Sequence, residues 1–447
     1  MKLVRIKLKL TSLIFMIWIL MMILDSRFFG IIEIPDSLFI YMGSTSRFFV
    51  GILGIGAAFL TIAYCRGFLN ITKFIKKYTI IYLIVIVSTV FYTVIAFPNQ
   101  YLKVSIRYSF QYLIILFTIP LLYYSKKRGI DKIFASLNVF CLFSNILILI
   151  QALIYNSGGN IFLKNIINYL ATGTPDIRNG RIRIGLYAMF STSILYNYYI
   201  IFFTKEKFRN KMLSAFELAI GLIDVFYVQQ TRMTIIMLLI SLILPLLFHV
   251  KKMLGRVIIL LTISAVILMS TGIIENIRMS FFTAELAKST VGRMIGYQYY
   301  WSYFLKHPIW GFGFARDGAY PTIVHGPRGL AYTSDCGFIG QLGTLGIFSI
   351  FLELPLIIRG MKILIKTNDI FLEMLFIYLI GTNISMSSFE APLMLNLVVN
   401  IVIFENIFYK YQRTLENYSR IDEDIIDTLT NNIDKNGSPI RSTLTIN

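Results

Sequence analysis

Charge is the scarce ingredient of this chain. Asp, Glu, Lys and Arg make up 15% of its 447 residues, where soluble domains carry about 25%. Hydrophobic residues make up 56%, and the mean hydropathy is +0.70. So little charge excludes an ordinary soluble domain. Cysteine is almost absent: Cys65, Cys141 and Cys336 are the full set. Their number and scatter exclude a disulfide framework and give no metal spacing. There is no HExxH and no cluster of His or Cys, so no metal site is expected. There is no Walker motif and no GxGxxG on a strand–helix unit, which argues against ATP-driven transport. The short outer loops lack paired acids of the DxD kind, so nothing points to a metal-bound nucleotide sugar.

Long apolar runs dominate what remains. About 20 apolar residues cross a bilayer as a helix. That length predicts twelve spans, centred near residues 17, 56, 87, 116, 144, 194, 220, 241, 265, 346, 379 and 400. The expected fold class is therefore all-α: a polytopic integral membrane protein of about twelve transmembrane helices. Lys2, Arg5, Lys7 and Lys9 precede the first run. It lacks a small-residue cleavage site, and Asp25, Ser26 and Arg27 follow it directly, so it reads as a retained helix.

The net charge of +19 sits in short loops between apolar runs. It therefore speaks for membrane orientation rather than for nucleic acid. One set of alternating loops, with the N-terminus and the tail, holds 18 Lys and 9 Arg. The other holds 4 Lys and 11 Arg, completing the 42 basic residues. Lys and Arg favour the cytoplasmic side, so both termini are expected there. The long loop between spans 9 and 10, about 274–334, then faces out. The expected organisation is a transmembrane domain over 1–409 and a disordered, cytoplasmic tail over 410–447.

Orientation needs only charge, and Lys supplies it. Arg adds a planar fork that grips phosphate or carboxylate and keeps its proton. An outer face that chooses Arg suggests an anionic ligand, although headgroup contact gives the same bias.

Three outer segments carry the candidates. PDIRNGRIRIGLY places Arg181 and Arg183 at the mouth of the sixth span. The tight turn Gln229-Gln230-Thr231-Arg232 pins Arg232 between two helices. The long loop holds Arg278, Arg293, Arg316, Arg328, His307, His325 and Asp317. An amphipathic helix is predicted from about Arg293 to Lys306, stopped by Pro308. Its aromatics, Tyr300 and Trp301 among them, suit the headgroup layer or a sugar face. Asp335 stands at the lip of the tenth span, as a base or as an Arg partner. Gly337, Gly340, Gly343 and Gly346 follow at a spacing that permits close packing. Asp224, inside the seventh span, and Glu390, before the last, are supporting candidates. An intramembrane acid is costly and usually paired or functional, and Arg232 is a possible partner for Asp224.

At these residues the chain resembles the O-antigen ligase and Wzy-type polysaccharide polymerase superfamily. The patterns are RIRIGLYAMFSTSILYN, QQTRMTIIMLLISL, VGRMIGYQYYWSYFLKHPIWGFGF and SDCGFIGQLGTLGIF. Their order and sidedness carry the likeness, with the long late outer loop. Ligases commonly place His-Asn where this chain has Ser334-Asp335, which favours a repeat-unit polymerase. The resemblance implies a metal-independent glycosyltransferase without cofactor. It would join undecaprenyl-pyrophosphate-linked oligosaccharides of capsule, exopolysaccharide or O-antigen type on the outer face. Arg232 and Arg293 would stabilise the leaving pyrophosphate, with Arg181, Arg183, Arg316 and Arg328 assisting. Asp335, or alternatively His325, would be the base. Implied partners are the lipid-linked substrate, membrane lipids, and flippase and chain-length regulator proteins. The competing readings are a flippase or secondary transporter, an O-antigen-ligase-like transfer to another acceptor, and a cell-wall glycan polymerase.

Overall fold

The structure is a computed structural model that describes residues 2–26, 36–65, 71–163, 175–178, 180–185, 189–249, 284–315, 319–390 and 393–436. It is mostly helical, in this order: α1 (Lys2–Asp25), α2 (Asp36–Cys65), α3 (Lys73–Ala96), α4 (Leu102–Ser109), α5 (Thr118–Arg128), α6 (Asp131–Asn156), α7 (Met189–Phe203), α8 (Phe208–Ile223), α9 (Arg232–His249), α10 (Ala284–Lys306), α11 (Gly337–Leu345), α12 (Phe348–Thr367), α13 (Ile370–Thr382) and α14 (Met394–Asn436). A 3-10 turn, Tyr112–Phe117, joins α4 to α5. Among the described residues, four helical stretches are long and apolar enough to cross a membrane: Lys73–Ala96, Leu102–Arg128, Asp131–Asn156 and Phe208–Gln229. Leu10–Asp25, Phe48–Tyr64, Arg232–Leu246 and Ile370–Thr382 are shorter apolar helices.

Ten of the twelve expected span centres fall inside these helical stretches. The centre near 265 lies outside the described residues. The centre near 346 falls on a break. The chain there looks like one apolar run, but Gly346 adopts φ +59 and separates α11 from α12. A Cβ at Gly346 would run into the backbone of Pro308 and Ile309, and Ile347 N donates to Pro308 O at 2.7 Å. The long outer loop is thus stitched into the start of α12.

Local signals set several boundaries. Thr72 caps α3 by accepting from Ile75 N, and Asp369 caps α13 by accepting from Leu372 N. Pro308 ends α10 within two residues, as expected, but α10 begins nine residues before Arg293. Two departures from the expected organisation stand out. Residues 177–182 form a two-residue-strand hairpin, β1 (Ile177–Arg178) with β2 (Arg181–Ile182), in an otherwise helical chain. And α14 runs on to Asn436, so the polar segment from Lys410, expected to be unstructured, is helical over most of its length.

The large apolar core lies among α1–α3, α5–α9 and α11–α14. A second, smaller core forms beside the outer loop around Phe97, Tyr300, Phe312, Ala331 and Cys336. That second core carries the outer part of the site.

Candidate active site

The first half of the site is built at the end of α8. At Asp224 the helix changes to a π-helical turn that runs to Gln229. Gln230 then takes a left-handed conformation, φ 50, and its N–H donates to Val225 O at 3.1 Å. This wide turn aims the Gln229 carbonyl outward. Arg183, just beyond the hairpin, uses all three guanidinium nitrogens on the surroundings of that turn. Nε donates to Gln229 O at 3.0 Å, Nη1 to Asp176 Oδ2 at 3.0 Å and Nη2 to Thr231 Oγ1 at 3.1 Å. Arg183 is therefore a strut under the Arg232 turn. Arg181 lies over the Tyr227 ring, 4.8 Å from its centroid, so the hairpin is fixed by both of its later arginines. Arg232 is half-buried at the first position of α9.

The second half is built on α10. Gly296, one turn after Arg293, faces Cys336 and Ala331; a Cβ there would come 2.6 Å from Cys336 Sγ. Tyr300, the next turn, is fully buried. Its hydroxyl donates to Val324 O at 2.9 Å, and its ring fills the space that Gly343 leaves open. The aromatic helix is thus two-sided. Tyr300 is core, against the expectation of a headgroup-layer residue, while Trp301 is 47% exposed. Six aromatics crowd into 297–304, and their spacing concealed which face would be covered.

Arg293 is half-buried, and its Nε is shielded from solvent yet makes no hydrogen bond. Asp335 is exposed, and among the described residues no ion pair joins the two. Both charges nonetheless reach the Tyr297 phenol. Burial raises its pKa first, Cys336 and Asp335 add to the rise, and Arg293 opposes it. Tyr300 is likewise raised chiefly by burial, with Cys336, Tyr299, Glu390 and Asp335 adding to it. Glu390 is half-buried and accepts from Gln341 Nε2 at 3.4 Å. So Arg293, Asp335 and Glu390 surround one patch. His325 lies beside it, with Nδ1 2.8 Å from Ala331 O. A carbonyl only accepts, so Nδ1 carries the proton.

Both halves converge on the segment 382–390. Tyr297 donates to Ile384 O at 2.8 Å, and Phe338 N donates to Asn383 O at 3.0 Å. On the other side, Thr382, Met386 and Ser388 line a small cavity with Gln229 and Thr234. In this shared segment only Glu390 was singled out in the sequence, and neither Asp176 nor Thr231 was read as holding Arg183. An Asn-Gly pair is a hairpin signal in sequence, so Asn179-Gly180 could have revealed the Arg181–Arg183 arrangement.

Other candidates stand apart. Asp224 is fully buried, and neither carboxylate oxygen has a hydrogen-bond partner. The possible pairing with Arg232 is not formed. Arg328 is exposed, and His307 stacks near Tyr303, 4.7 Å between ring centres. Arg278, Arg316 and Asp317 lie outside the described residues. Among the described residues no group of three or more His, Cys, Asp or Glu is placed to hold a metal.

Residues 218–352 match the family model described as O-antigen ligase. The match supports a likeness of this part of the chain to the O-antigen ligase and Wzy superfamily. The matched stretch runs from α8 into α12, and it takes in Asp224, Arg232, Arg293, His325 and Asp335. Arg181, Arg183 and the 382–390 segment fall outside it. No curated protein matches the chain.

Proposed function

We propose that the protein is a repeat-unit polymerase. It joins undecaprenyl-pyrophosphate-linked oligosaccharides on the outer face of the plasma membrane. The observation that carries this reading is the Arg293 patch. A half-buried guanidinium with an uncommitted Nε and an exposed carboxylate, not paired with each other, both act on the Tyr297 phenol. The family match to the O-antigen ligases supports glycan transfer; Ser334-Asp335 in place of the ligases' His-Asn favours polymerisation.

In the reaction, an acceptor hydroxyl oxygen attacks the anomeric carbon of the donor glycan. The bond from that carbon to the pyrophosphate oxygen breaks, and the electron pair leaves with the pyrophosphate. Fixed guanidinium groups, Arg293 first and Arg232 second, stabilise the charge that builds there. The hydroxyl proton passes to Asp335, with His325 Nε2 as the alternative acceptor. Arg183 acts here by fixing the Arg232 turn.

The test is glycan length on cells that express Arg293→Ala at wild-type level. Single repeats on lipid, with no ladder, are the expected result. An unchanged ladder would remove Arg293 from the reaction. A second reading, a flippase, draws on one observation, the buried and unpartnered Asp224. It predicts instead that all surface repeats vanish while lipid-linked units accumulate inside.

A further inference from the structure

A groove runs along α12, α13 and α14 in the half of the molecule below segment 382–390. Its walls are apolar, with Phe74, Phe376, Phe389 and Phe404 among them. Its two ends are polar. At the outer end the Glu353 carboxylate accepts from Asn383 Nδ2 and Ser387 Oγ. At the inner end Arg359 grips Glu405 through Nε and Nη2, at 2.6 and 3.0 Å. That guanidinium also lies over the rings of Phe408 and Phe74, at 4.6 and 5.3 Å.

We propose that this groove holds the first isoprene units of the polyprenyl carrier, those next to the pyrophosphate. The proposal rests on a lipid-linked donor, as in the polymerase reading. Continuity with the site argues for it. Asn383 and Ser388 line the outer end of the groove. Ser388 also lines the cavity under the Arg232 turn, and Asn383 O receives Phe338 N from the Asp335 side. A chain rising from the groove therefore delivers its headgroup to the segment on which both halves of the site converge. Length supports the same occupant. Glu353 and Arg359 are six residues apart on one helix, about 9 Å at 1.5 Å per residue. The ion pair closes the inner end, so only the proximal part of a long chain fits. The remainder leaves sideways past Ile380, which lines the groove and is 37% exposed. Binding only the proximal units lets the rest of the chain vary in length without effect.

The experiment uses the full-length protein in nanodiscs of phosphatidylethanolamine and phosphatidylglycerol. The probe is a polyprenyl phosphate with a diazirine on the isoprene nearest the phosphate. After irradiation, adducts are mapped by mass spectrometry on the wild-type protein, so no variant has to fold for the map to be read. Adducts concentrated on Leu356, Ile380 and Leu397 are expected. Excess undecaprenyl phosphate should lower them at least five-fold, and Ile380→Trp, which fills the mouth, should do the same. Ile365→Trp, on α12 at a position 75% exposed and outside the groove, should leave them unchanged. Adducts spread over other exposed apolar positions, such as Ile95 and Val139, would overturn the proposal. So would equal displacement by added phosphatidylglycerol, which would assign the groove to bilayer lipid. The two readings fail separately. Groove adducts with all surface repeats lost and lipid-linked units retained inside would sink the polymerase reading alone. A collapsed ladder with adducts elsewhere would sink the groove alone.

Discussion

Two arginine sites are built on opposite plans. Around Arg183 every guanidinium nitrogen is spent inside the protein, on Gln229 O, Thr231 Oγ1 and Asp176 Oδ2. Around Arg293 the helix is fixed by packing, through Gly296, Tyr297 and Tyr300, while Nε has no hydrogen bond. The first plan makes a rigid turn. The second leaves a cation preorganised toward something else. An arginine's presence at the outer face therefore says little about its role; its commitments say more.

Paired alanine variants sharpen that contrast and carry the largest expected effects. Arg293→Ala should cut polymer formation about 100-fold or more, the scale of losing one charge-stabilising group in a transition state. Its thermal stability should stay within about 1 kcal/mol of wild type, because no hydrogen bond from Nε is lost. Arg183→Ala should do the reverse in kind. It should cost about 2 kcal/mol of stability, from the bonds to Gln229 and Thr231. The Asp176 pair should add little, since that carboxylate is 57% exposed. Thermal unfolding in detergent and ladder length in cells read the two quantities. Arg183→Ala with full stability and no polymer would dissolve the distinction.

Much of the scaffold was legible because apolar length is a local property. Ten span centres, the stop at Pro308 and the position of Arg232 at the start of α9 needed no tertiary information. The rest was hidden for identifiable reasons. The break at Gly346 lies inside an apolar run that continues unbroken into α12, and only the collision with Pro308 and Ile309 marks it. Tyr300 sits among aromatics on every side of α10, so no stripe distinguished core from surface. The π-helical turn at Asp224 leaves no signature in residue type. The segment 382–390 is short and mildly polar, and it becomes central only because two distant parts of the chain hydrogen-bond to it.

That segment offers the next test. Gly337 has φ +49, and a Cβ there would meet Asn383 O and Ile384 O. Gly337→Ala should therefore push the Asp335 end of the loop off segment 382–390, at a cost of about 2 kcal/mol from backbone strain and collision. Polymer length should fall with it, although no arginine is touched. Glycan ladders and unfolding temperatures measured on the same preparation decide. A stable Gly337→Ala with a normal ladder would show that the two halves work without this junction.

The smallest expected effect concerns Asp224, which opens the π-helical turn beneath the rigid half. Its carboxylate is fully buried and hydrogen-bonds to nothing. Burying such a group without a partner is unfavourable, so nothing in the turn depends on the charge. The π-helical turn itself is held by backbone bonds such as Gln230 N to Val225 O. Asp224→Asn keeps the shape and removes the ionisable group. Stability should hold or rise by about 1 kcal/mol, with an unchanged ladder. A drop in unfolding temperature would mean that the carboxylate serves a partner, such as a cation. A loss of surface glycan with lipid-linked units retained inside would go further. It would make Asp224 part of a transport step and move the functional weight from the Arg293 patch into the membrane.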